Sequence, residues 1–349
     1  MQGFNRANDY NNMTRLECSA LRCMAIMSIM IHNFAHKLSN AAPENEFSFS
    51  LEHYERFWYL VFSNDFLIQL FSFWGHLGVP VFVFLTGFGL EQKYGKDRIL
   101  EWKVFLYNHY KKLLIPLFVG TVSFIIFMYA KEGYLVCSVS RIFVQCTMLL
   151  NFISPMHLLP MPYWYLGLTM QFYVIYLLLV HNRKLQYLFY LTIASFIMMA
   201  FFSDFYDAIV LSKFNFIGWL APLCMGVAYS RYQSNLPMIK GIRLLVLLSV
   251  SFLMVLIFGL CYYTWLLIPV LIVVMAVCTL KYIPSVFQRR MEFIGKNSLY
   301  LLIVHPIVRE FVLPLVPSFG RYGSLLLYVF TSIIVVYVFL YAKDKLMKL

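Results

Sequence analysis

The stretch Gly78-Val79-Pro80-Val81-Phe82-Val83-Phe84-Leu85-Thr86-Gly87-Phe88-Gly89-Leu90 contains no charged residue. Extended back to Ser72, it approaches the roughly 20 mostly apolar residues that a membrane-spanning helix needs. Small residues at Gly78, Thr86, Gly87 and Gly89 predict close approach of a neighbouring helix. Pro80 frees a backbone carbonyl that a polar neighbour or water must satisfy.

The same length rule, applied outward, predicts ten spans: Glu17–His36, Ser72–Leu90, Leu113–Ala130, Tyr163–Val180, Leu185–Phe202, Phe214–Ser230, Ile242–Cys261, Thr264–Leu280, Gly295–Val312 and Ser324–Tyr341. The seventh and eighth are nearly contiguous and predict a tight hairpin. Ile142–Phe152 is apolar but too short to span, so it reads as interfacial or re-entrant. The expected fold is all-α and polytopic. It is a single domain over 1–349, with a polar N-terminus (1–14), a membrane bundle (15–342) and a basic tail (343–349). Composition agrees: 61% of the residues are apolar and 13% charged, against about 25% charged in ordinary soluble domains. That balance excludes a soluble enzyme, a disordered chain and a disulfide-stapled module. Seven Cys without CxxC or Cys/His spacing give no zinc site or disulfide framework. The opening residues, with Arg6 and Asp9, lack a signal-peptide pattern.

The net charge of +12 has a spatial pattern. With ten spans and an inside N-terminus, 20 of the 28 Lys and Arg fall on the inner side and seven on the outer. The positive-inside rule then places both termini in the cytoplasm. The excess charge is topology, not a nucleic-acid surface. Two outer segments are long: Lys37–Phe71, with Glu44, Glu46, Glu52, Glu55 and Asp65 among aromatic residues, and Lys131–Pro162. Each reads either as an ordinary solvated loop or as a functional one.

Ionisable residues inside a membrane are costly and point to function. Arg22 either snorkels to the inner headgroups or faces a polar cavity and binds phosphate or carboxylate through its fork. His32, followed by Asn33 and His36, lies toward the outer end of the first span. A neutral imidazole there is either a satisfied buried side chain or a base for an alcohol proton. His76 and His305 are further candidates, as is the buried amide of Gln171. Trp164 and Tyr165 fit an aromatic belt at the outer edge. The basic stretch ending in Lys111 and Lys112 suits anionic lipid, or the phosphates of an acyl donor.

The order of motifs resembles the acyltransferase-3 family of bacterial integral membrane acyltransferases. The matching residues are Arg15-Leu16-Glu17 with Leu21-Arg22 and His32; Val79 to Phe88; Lys111-Lys112-Leu113-Leu114-Ile115-Pro116; Tyr163-Trp164-Tyr165-Leu166 with Gln171-Phe172-Tyr173; and Phe293 to Tyr300 leading to His305-Pro306. Nine residues separate Arg22 from His32, one fewer than is usual in the family, and Thr86 stands where Ser is usual.

The resemblance implies transfer of an acyl group, most often acetyl from acetyl-CoA, to a hydroxyl of a cell-envelope glycan or lipid-linked sugar in the bacterial cytoplasmic membrane. It implies His32 as base or acyl carrier, with Arg22 and His305 beside it as catalytic candidates. His76, Thr86, Trp164, Gln171, His36 and Asn33 become candidates for the acceptor. Arg22, Lys111 and Lys112 become candidates for the donor, with membrane lipids as surroundings and no metal. A glycan transporter or flippase, or a glycan polymerase, is the competing reading. No matched pair of interrupted helices suggests the inverted repeats of a transporter.

Overall fold

The computed structural model describes residues 12–63, 65–95 and 99–346. Of the expected polar N-terminus, residues 1–11 lie outside them, and of the expected basic tail, residues 347–349. Every regular element among the described residues is helical.

Helix α1, Arg15–Ala35, is the axis of the bundle. Its start is fixed by a capping box: Thr14 Oγ1 accepts from Glu17 N at 3.1 Å, and Glu17 Oε2 accepts from Thr14 N at 2.8 Å. Glu17 Oε1 also pairs with Lys281 Nζ at 2.8 Å. The helix then runs unbroken past both Arg22 and His32. Short helices α2 (Leu51–Val61) and α3 (Phe66–Trp74) follow. A 3-10 turn, Gly75–Leu77, links α3 to α4 (Gly78–Tyr94), which runs antiparallel to α1. Gly75 lies against His32, where an added Cβ would stand 2.6 Å from the His32 Cβ; Gly78 lies against the Ala25 carbonyl. Helix α5, Trp102–Glu132, therefore begins at the Arg22 end of the bundle and finishes at the His32 end.

The remaining long elements are α6 (Trp164–Ile175), α7 (Leu185–Phe201), α8 (Tyr206–Phe214), α9 (Leu220–Tyr232), α10 (Ile242–Phe258), α11 (Ile268–Tyr282), α12 (Ser285–Lys296), α13 (Ser298–Val312) and α14 (Val316–Leu346). Two glycines let α4 and α9 cross backbone to backbone. A Cβ on Gly87 would meet the Leu223 carbonyl oxygen at 2.2 Å, and one on Gly226 the Phe84 carbonyl oxygen at 2.0 Å. Gly89, also expected at a helix contact, faces open space. Where α4 and α9 approach the Arg22 end, the Arg231 guanidinium is within 2.7 Å of the buried Glu91 carboxylate, which also accepts from Tyr176 Oη at 2.9 Å.

Six helical segments are long and apolar enough to cross a membrane: Arg15–Ala35, Phe66–Tyr94, Trp102–Glu132, Met161–Val180, Leu185–Asp204 and Ser298–Ala342. Tyr206–Phe214 and Phe216–Asn235 add a seventh if their 67° bend lies within one broken span. The difference from ten has identifiable causes. The expected hairpin forms, but Ile242–Phe258 and Ile268–Tyr282 are 17 and 15 residues long, below the usual spanning length of about 20. Two expected spans are merged in Ser298–Ala342, interrupted at Gly320, whose φ of 69° no helix holds. Long apolar side chains such as Phe118, Ile126, Phe189, Ile197, Phe330 and Ile334 are exposed on the perimeter, which fits a hydrocarbon solvent. The chain is a multi-pass membrane protein.

The two long segments expected on the outer side carry short helices. Lys37–Phe71 contains α2 and the start of α3, and around Ile142–Phe152 lie Val139–Cys146 and Leu150–Ile153, both too short to span, as expected.

Candidate active site

A cavity of about 470 Å³ runs beside α1. That volume lies within the range of small-molecule sites. Of the residues singled out from sequence, Arg22, His32, Asn33, His76, Thr86, Lys112 and Trp164 all line it. Arg22 and His32 are ten residues apart on a continuous helix, about 15 Å along its axis. The missing residue in their spacing is not offset by any helix irregularity; the cavity is wide enough to receive both side chains.

At the His32 end the chemistry is well defined. His32 is buried, and its Nδ1 lies 3.1 Å from the Phe71 carbonyl oxygen. A carbonyl only accepts, so in the neutral ring Nδ1 carries the proton and Nε2 keeps its lone pair. The His76 ring meets His32 edge-on at 5.5 Å, and its buried Nδ1 has no hydrogen-bond partner among the described residues. Asn33 Nδ2 donates to Ile29 O at 2.9 Å, which leaves its amide oxygen for the cavity. His36 stacks on His32 at 5.6 Å but is exposed and does not line the cavity.

Glu46 also faces this end, with Oε2 3.8 Å from His32 Nε2. Burial pushes its carboxyl well above the ordinary range, the neighbouring Glu44 carboxyl adds to that, and Lys213 opposes it. Glu44 is likewise pushed up, to about 7, mainly by burial.

Toward the other end, Arg22 is half-buried and makes no ion pair among the described residues. Thr86 spends its hydroxyl proton on Phe82 O at 2.9 Å, leaving oxygen lone pairs toward the cavity. Lys112 and Lys296 are exposed residues of the lining, the latter paired with Glu292 at 2.6 Å. Gly295 packs on the Ser19 carbonyl, one turn before Arg22, which brings the backbone at Lys296 onto this stretch of α1.

Three candidates stand elsewhere. His305 is fully buried, with Nδ1 3.0 Å from Leu301 O and Nε2 without a hydrogen-bond partner among the described residues, away from the cavity lining. Gln171 is committed to the scaffold: Nε2 donates to Asn215 Oδ1 at 2.7 Å, and Oε1 accepts from Phe216 N at 2.9 Å. Lys111 is exposed and does not line the cavity. Trp164 and Tyr165 do not form an interfacial belt. They face inward on the cavity, where Trp164 meets Phe47 edge-on at 5.3 Å. Glu46, Lys296, Thr169 and Tyr173 join the lining without having been named as site candidates. The Lys37–Phe71 acids and the Gly295-Lys296 motif were visible in the sequence, but nothing local pointed them at His32 or Arg22.

No described group of three His, Cys, Asp or Glu side chains could hold a metal ion. No curated protein and no solved structure matches the chain significantly. The acyltransferase-3 family, described as an acyltransferase domain, matches residues 17–342. With a cavity that joins Arg22 to His32 inside a multi-pass bundle, and a match over nearly its whole length, the chain belongs to the acyltransferase-3 family and is a membrane acyltransferase.

Proposed function

We propose that the protein moves an acetyl group from acetyl-CoA to a hydroxyl of a cell-envelope carbohydrate or lipid-linked sugar, in the bacterial cytoplasmic membrane with both termini inside. One observation carries this reading: a single cavity holds three cations, Arg22, Lys112 and Lys296, and also the free-Nε2 imidazole of His32. The cations suit the phosphates of the donor. The arm of the donor then lies along α1, with its thioester at the His32 end.

His32 Nε2 takes the proton of the acceptor hydroxyl as the oxygen attacks the thioester carbonyl carbon. The tetrahedral adduct collapses with loss of the C–S bond, giving the ester and, once the sulfur is protonated, free thiol. Phe71 holds the ring in the required tautomer, and His76 and Asn33 present polar atoms to the acceptor side.

The test uses purified protein in vesicles with labelled acetyl-CoA on one face and cell-envelope oligosaccharides on the other. Ester formation is expected, and its loss in His32→Ala at equal protein level. No transfer from any acyl-CoA, or an undiminished His32→Ala, overturns the reading.

A further inference from the structure

Glu46 faces the reacting nitrogen of His32, and the mechanism above gives it no role. Its loop is held as firmly as a helix. Gln69 Oε1 accepts from Ala42 N at 2.7 Å and Gln69 Nε2 donates to Asn40 O at 3.1 Å, while Ser72 Oγ donates to Ala42 O at 2.7 Å. Asn45 and Ser50 exchange two further bonds, of 2.9 and 3.2 Å. Next to Glu46, Phe47 stacks on Phe214 at 4.0 Å. The carboxyl is therefore delivered to the cavity in a fixed position, as a reacting group must be.

Its surroundings favour a proton on it. The Glu46 backbone N–H donates to the Glu44 carboxyl, which brings a second buried acid against it. Lys213 is buried with its ammonium 4.1 Å from the Trp265 ring centroid and 5.1 Å from that of Trp219. It supplies the opposing charge that stabilises the carboxylate once the proton has left. His36 and His76 are the other titratable rings against His32, and Glu46 is the acid paired with it among the described residues.

Building on the reading of His32 as base, we propose that Glu46 is the general acid of the same reaction, protonating the sulfur that leaves. The acceptor proton goes to Nε2 as the new C–O bond forms. When the C–S bond breaks, the Glu46 proton goes to sulfur and free thiol departs. Imidazolium and carboxylate are left 3.8 Å apart. Return of the proton from Nε2 to Oε2 restores both groups, and solvent supplies no proton. A bare thiolate in a largely apolar cavity is costly, because burial raises the pKa of a thiol. At 3.8 Å the two groups do not hydrogen-bond each other, so both are free to reach reacting atoms that enter beside them from the cavity.

The experiment compares Glu46→Gln, Glu46→Ala and His32→Ala in vesicles, with acetyl-CoA and with the acetyl thioester of 4-nitrothiophenol as donors. For acetyl-CoA, Glu46→Gln lowers kcat by about 10²–10⁴-fold with KM little changed, the usual size of a general-acid contribution. The aryl thioester, whose thiolate leaves unaided, loses far less, and formate restores part of the Glu46→Ala activity. Wild-type kcat in Glu46→Gln, or equal losses for both donors without formate rescue, overturns the proposal. Activity retained in His32→Ala instead removes the base on which it rests. An inactive His32→Ala beside a fully active Glu46→Gln sinks the acid alone.

Discussion

His32 Nδ1 is held 3.1 Å from the carbonyl oxygen of Phe71, so the orientation of the central histidine is set by backbone and not by a side chain. The donor–acceptor pair joins α1 to the last turn of α3, where no side-chain substitution deletes the acceptor. The ring is then vulnerable only to changes in how closely the two backbones lie.

Gly75 sets that distance. A methyl there would stand 2.6 Å from the His32 Cβ and 2.9 Å from the Ser28 carbonyl oxygen. Gly75→Ala is expected to cost about 1–3 kcal/mol of stability through overpacking. Because it displaces the reacting ring, acyl transfer should fall by about 10²-fold. Thermal melts and initial rates on the same preparation measure both effects, and the rate should suffer far more than the melting temperature.

Arg22 should be read through the donor. Loss of a charged hydrogen-bonding group costs roughly 1.5–3 kcal/mol, which is about a ten- to hundredfold rise in KM for acetyl-CoA in Arg22→Ala. Arg22→Lys should recover only part of this, since an ammonium lacks the planar fork. Acetyl-pantetheine, which lacks the nucleotide phosphates, should show a much smaller difference between wild type and variant.

The crossing of α4 and α9 makes a paired prediction. Gly87→Ala drives a methyl to 2.2 Å from the Leu223 carbonyl oxygen, while Gly89→Ala, half a helical turn on, meets nothing within 4 Å. The first should destabilise by about 1–3 kcal/mol. The second should be neutral or gain up to roughly 1 kcal/mol in helix propensity. Melting temperatures in detergent distinguish them.

Glu44 predicts a pH dependence of stability. Its folded pKa, raised to about 7, lies above the ordinary 4.5, so between those values the folded state binds the additional proton. Its contribution is fully present below about pH 4.5 and is lost as pH rises through 7. Glu44→Gln should therefore flatten the fall in melting temperature across that window and leave the variant the more stable of the two at pH 8.

Arg22 and His32 were both legible because they are isolated polar residues in one apolar run, and the motif order around them spans most of the chain. The span count was less so. Length alone cannot tell that α10 and α11 stop short, or that the backbone breaks at Gly320 inside α14. Glu46 was one of several acids in a loop, and its place opposite His32 depends on bonds from Gln69 and Ser72, more than twenty residues away in sequence. Gln171 misled for a related reason. A buried amide invites a ligand, yet Asn215 and the Phe216 backbone satisfy it within the scaffold. Trp164 has the composition of a membrane-edge residue, and only tertiary packing turns it inward.

The unbroken course of α1 between Arg22 and His32 has a mechanical consequence. The two residues are fixed to one rigid rod, so about 15 Å of axial separation is a property of a single helix and not of how several helices meet. The bundle can breathe, and its perimeter helices can tilt with bilayer thickness, without altering that length. A molecule gripped at one mark and reacting at the other is measured against a ruler, and an arm too long or too short is rejected by arithmetic before any contact discriminates against it.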